Sequence, residues 1–252
     1  MKHYEHFPSS FWAGAFPFLL TASILFFSVY AKVFPNIAIF YFSIFVSVII
    51  ASGLVGFERF VEYLGFDVNK EYWRIPIFVF IGAFSGYFIY WLLKLFSGGG
   101  LHLLAFPMDF AIGSLLLSLP SVYTVFHYLA VAIGEEILRA YGNFTFANWL
   151  GERFNMKKDV ATGLGILISS LFFILLHIPA WGYSPNIFSY IMGLLIATVF
   201  SQLGFIFTPK AMGILAFPEF TIYPGMVAHW TYDILVDSQM RVMPSLIGSL
   251  LV

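Results

Sequence analysis

Two adjacent carboxylates and a guanidinium, Glu135, Glu136 and Arg139, lie within the apolar run Gly134-Glu135-Glu136-Ile137-Leu138-Arg139. An ionisable residue at membrane depth costs about 2.5–3.5 kcal/mol on insertion scales, so three so close together require partners and mark a site. On a helix Glu135 pairs with Arg139 at i,i+4, or Glu136 with Arg139 at i,i+3. Two acids against one base leave a surplus negative charge, and such a carboxylate is a candidate general base toward water.

Two further stretches supply imidazoles. His177 follows Phe173 by one helical turn, and His229 and Asp233 stand at i,i+4, a spacing that suits a His–carboxylate hydrogen bond or two metal ligands. Taken singly, each has a structural reading: polar groups act as interhelical glue at roughly 0.6 kcal/mol each, and a lone histidine packs. Their joint occurrence in three apolar stretches points instead to a shared polar site. His102, His127 and Asp109 have no partner at helical spacing and are read as structural. Lys94, near the end of its stretch, is read as a snorkelling side chain.

Composition defines the surroundings of these residues. With 60% hydrophobic residues, 10% charged and 32 Phe in 252 residues, and a mean hydropathy of +0.89, there is too little polar surface to coat a soluble globule. The expected class is all-α: an integral, multi-pass membrane protein of about seven or eight transmembrane helices with a polar intramembrane cavity, in one membrane domain over 1–252. A net charge of −1, with 12 Lys and Arg spread among loops, excludes a nucleic-acid partner. The absence of cysteine excludes disulfides, thiolate nucleophiles and Cys-ligated metal.

Spans of about 20 apolar residues are the yardstick for the elements. Phe11–Phe34 is too long for a signal-peptide core and reads as the first span, with no removable leader expected. Asn36–Phe57 returns as its hairpin partner. Glu58–Arg74 is polar and reads as a loop or interfacial helix. Ile75–Phe96 spans, Leu101–Pro120 reads as re-entrant or interfacial, and Ser121–Ala140 leads into the carboxylates. Beyond a mixed stretch, Ala140–Leu150, and a polar turn, Gly151–Asp159, come spans at Val160–Trp181 and Pro185–Phe207. Thr208–Pro224 is a broken connection, Tyr223–Val236 carries His229 and Asp233, and Arg241–Val252 is a short terminal helix. Lys and Arg gather in 58–74 and 151–159, which are therefore expected to face the cytoplasm. No internal repeat is found.

Helical rise then brings two of the polar groups to one depth. A helix from Glu136 to Asp159 covers about 35 Å, and His177 lies about 27 Å beyond the turn. An antiparallel hairpin about Gly151–Asp159 returns His177 to within a turn or two of Glu135, Glu136 and Arg139, unless Gly142-Asn143 bends the first arm.

The order of Glu135-Glu136 with Arg139, then Phe173-x-x-x-His177 within Ser169–Pro179, then His229-x-x-x-Asp233, resembles the CAAX-processing and bacteriocin-immunity (CPBP, or Abi) superfamily of intramembrane proteases, which includes the type II CAAX prenyl endopeptidases. The likeness runs from about Val131 to Leu235, within a 121–236 core. The family pattern has three residues between the second glutamate and the arginine, whereas only Ile137 and Leu138 intervene here. Either Arg139 is turned by ~100° about the helix, or Glu135 and Arg139 match the family's second glutamate and arginine, with Gly134 where the first stands. The spacing also resembles PrsW-type proteases, with two glutamates, two residues and a lysine, but His177 stands where that family has a glutamate.

The resemblance implies hydrolysis of a peptide bond in a lipid-anchored, CAAX-like prenylated or membrane-embedded substrate. Glu135 or Glu136 would deprotonate water, and His177 with His229 would orient it or stabilise the oxyanion. Asp233 would hold one His229 tautomer, Arg139 would anchor the glutamates, and Phe173 would touch substrate. No cofactor is expected, or else a divalent metal such as zinc on Glu135, His177 and His229. Two other classes stand beside the peptidase: a catalytically inactive scaffold or immunity-type protein, and a proton-coupled transporter, for which inverted repeats are expected.

Overall fold

A computed structural model of the chain describes residues 7–31, 36–64, 72–96, 122–181 and 222–235, with Ile191, Leu195 and Val199. Its elements are α1 (Phe11–Ala31), α2 (Asn36–Val55), α3 (Phe57–Tyr63), a 3-10 turn (Tyr72–Arg74), α4 (Ile75–Phe96), α5 (Val122–Phe154) and α6 (Lys158–Trp181), followed by α7 over 223–235. Among the described residues the chain is all-helical, as composition implies. Expectations for Leu101–Pro120, Pro185–Phe207, most of Thr208–Pro224 and Arg241–Val252, and for His102, Asp109 and the Lys94 side chain, fall outside the described residues. One described helix, α6, is long and apolar enough over Lys158–His177 to cross a membrane, and shorter apolar stretches run over Phe11–Phe27, Ile44–Val55 and Ile75–Tyr90.

The chain divides into two compact units, Met1–Arg74 with Gly134–Ile222, and Ile75–Ile133 with Tyr223–Val252. The 121–236 stretch therefore contributes to both, with the break inside α5.

In the first unit α1 and α2 form a hairpin. Gly56 ends α2 with a φ of 95°, a conformation that costs glycine little and side-chain-bearing residues much, so the expected second span stops at Val55 and α3 begins at once. Pro17 lies inside α1 and has no N–H to give the carbonyl of Ala13, four residues back. The Tyr141 hydroxyl donates to that carbonyl at 2.9 Å instead. One turn on, the Pro17 carbonyl accepts from Thr21 Oγ1 at 2.9 Å and from Ser47 Oγ at 3.1 Å, and the Thr21 and Ser47 hydroxyls also bond to each other. Hydroxyls thus tie α1 to α2 and α5 at the place where proline interrupts its ladder.

The α5–α6 arm is more regular than its sequence suggests. α5 is one helix of 33 residues that runs on through the mixed stretch after Ala140. Gly142 and Asn143 do not interrupt it, because both are taken up by packing: a Cβ on Gly142 would lie 2.7 Å from the Phe18 ring, and Asn143 is buried. Asn155, at φ 50°, ends α5 in the left-handed region that asparagine tolerates. The Lys157 carbonyl accepts the Ala161 N–H at 2.9 Å to start α6, with Asp159 in the first turn, where the helix dipole favours an acid. The two helices then run antiparallel and very close. A Cβ on Gly165 would stand 2.7 Å from both the Asn143 carbonyl oxygen and the Ala147 nitrogen.

The second unit holds α4, the first part of α5 and α7. Gly82 and Gly86, four residues apart on α4, face the α7 backbone; a Cβ on Gly82 would lie 2.7 Å from the Pro224 carbonyl oxygen, and one on Gly86 would meet the Ala228 carbonyl. This is the small-x-x-x-small contact that lets helices approach without help from water. Trp230 Nε1 donates to the Val125 carbonyl at 3.0 Å, and Tyr90 packs edge-on to Tyr232 at 6.4 Å. Polarity is inverted relative to a soluble protein: Trp12, Phe27, Phe80 and Phe84 are exposed, while Glu135, Glu136, Arg139, Asn143, Ser169 and Ser170 are buried.

Candidate functional site

Within the first unit, α5 and α6 assemble one polar stack. Glu135, Glu136 and Arg139 are 1%, 3% and 5% exposed. Arg139 Nη1 donates to Glu136 Oε1, one turn back along the helix. The other face of the guanidinium is covered by α6, whose Phe173 ring has its centroid 4.9 Å from Arg139 Cζ. A planar cation between a carboxylate and an aromatic face is a place where arginine serves and lysine does not. Ser169 Oγ donates to the Arg139 carbonyl at 3.2 Å, which pins the helix backbone at the same level.

Phe173 in turn meets His177, with ring centroids 4.7 Å apart. The expected substrate contact, Phe173, is 2% exposed, and its ring lies against Arg139 and His177. His177 Nδ1 is 3.1 Å from the Phe173 carbonyl. A carbonyl only accepts, so Nδ1 carries the hydrogen, and the neutral ring keeps its lone pair on Nε2.

The antiparallel register answers the depth expectation. Arg139 stands opposite Ser169 and Phe173, Gly142 faces Ser169, and Gly165 faces Asn143 and Ala147. Followed further, this pairing sets His177 opposite the start of the acid motif, within about one turn of Glu135. The helical hairpin therefore returns His177 to the depth of the acids, and no bend at Gly142-Asn143 prevents it.

The second unit carries the other expected pair. His229 Nε2 lies 3.5 Å from Asp233 Oδ2, with side chains 12% and 18% exposed. The carboxylate faces Nε2, which favours the hydrogen there and the lone pair on Nδ1, the opposite tautomer from His177. His127, read as structural, is half-buried beside Tyr128, with ring centroids 5.1 Å apart.

Among the described residues no group of three or more histidine, aspartate or glutamate side chains stands close enough to hold a metal ion.

Sequence reasoning passed over three contributors. Ser169 gives no signal, since a serine in an apolar helix is unremarkable until its acceptor is known. Tyr141 matters only because of Pro17, 124 residues earlier. Gly82-x-x-x-Gly86 was legible as a small-residue motif in an apolar helix, and it seats the helix that carries His229. Compared with protein-family models, curated proteins and solved structures, the chain has no match.

Proposed function

We propose that the protein is a multi-pass membrane peptidase in which a glutamate-activated water hydrolyses a peptide bond of a lipid-anchored or membrane-embedded substrate. The observation that carries this reading is the buried stack Glu136–Arg139–Phe173–His177, with Glu135 beside it. Three ionisable groups held under 6% exposure, in a helix covered by one whose exposed side chains include Leu164, Leu167, Leu171 and Leu175, fit a polar site inside lipid. The lengths of α1, α2, α4 and α6, 21, 20, 22 and 24 residues, match a hydrocarbon core of about 30 Å. With the spans expected from the rest of the chain, seven or eight crossings follow, and loops 58–74 and 151–159 face the cytoplasm.

In this reading Glu136, paired with Arg139, is the anchor, and Glu135 is the base. A water gives its proton to Glu135 while its oxygen adds to the scissile carbonyl. His177, whose Nε2 lone pair accepts from that water, orients it for attack, and the C–N bond breaks as the leaving amine takes the proton from Glu135. The chain has no cysteine to form a thioester acyl-enzyme. Phe173 acts from below, fixing Arg139 and His177.

A second reading, an inactive scaffold or immunity-type protein, draws on the same Glu136–Arg139 pair, which by itself is a structural tie. Reconstituted protein and a quenched prenylated or transmembrane peptide separate the two. The peptidase cleaves; Glu135→Gln and His177→Ala lower the rate at least ~100-fold, the scale on which general acid–base groups act, while Glu152→Gln, on the exposed turn, does not. A folded protein that cleaves no lipid-linked or transmembrane peptide leaves the scaffold. If proton flux into liposomes depends on these residues while no peptide is cut, the transporter replaces both.

A further inference from the structure

We draw no further inference here: the strongest candidate, the buried Ser170 hydroxyl on the face of α6 that also carries Phe173 and His177, which has no hydrogen-bond partner among the described residues, carries nothing, because nothing in the structure shows what covers it.

Discussion

Removing the Tyr141 hydroxyl isolates the consequence of Pro17, which is 124 residues away in sequence yet one hydrogen bond away in space. The Ala13 carbonyl has lost its helical donor to Pro17 and accepts from Tyr141 Oη at 2.9 Å. Interhelical hydrogen bonds in membranes average about 0.6 kcal/mol and reach about 1.7, because separated helices usually find other partners. This carbonyl finds none in a separated α1, since the proline travels with it, so Tyr141→Phe should cost the upper figure, ~1.7 kcal/mol. In a Pro17→Ala background the restored backbone N–H donates to the Ala13 carbonyl, and the same change should cost only the average, ~0.6 kcal/mol. The two substitutions are then coupled by about 1 kcal/mol, roughly a five- to sevenfold difference in the unfolding equilibrium constant. Reversible unfolding of the four proteins in mixed micelles, followed by circular dichroism, measures the cycle. Additive effects within about 0.3 kcal/mol would refute the reasoning.

Gly165→Ala should destabilise the first unit by about 1–3 kcal/mol, since its new methyl meets α5 backbone that cannot move aside. Gly163→Ala, where a Cβ meets nothing within 4 Å, should be neutral or stabilising by about 0.5–1 kcal/mol, and the same unfolding assay compares them. Arg139→Lys keeps the charge but loses the flat stack on Phe173; a cost of about 1–2 kcal/mol is expected. That cost should shrink in a Phe173→Leu background if the stack is its source.

The sequence alone determined the all-α class and the bounds of α4 and, to within two residues, of α6, because length and continuous apolarity need no tertiary information. The i,i+4 adjacency of His229 and Asp233 and the return of His177 to the depth of the acids were likewise legible, since helical periodicity and rise are local properties. Only the tertiary structure decided that Phe173, from α6, covers one face of the Arg139 guanidinium. It alone kept α5 continuous through Gly142-Asn143, where packing against α1 and α6 overrides weak propensity. It also buried Phe173, which motif reasoning had turned toward substrate, and it joined Tyr141 to the carbonyl that Pro17 leaves open. Each of these depends on which surfaces meet, and a one-dimensional pattern carries the period of a face but not the identity of what packs against it.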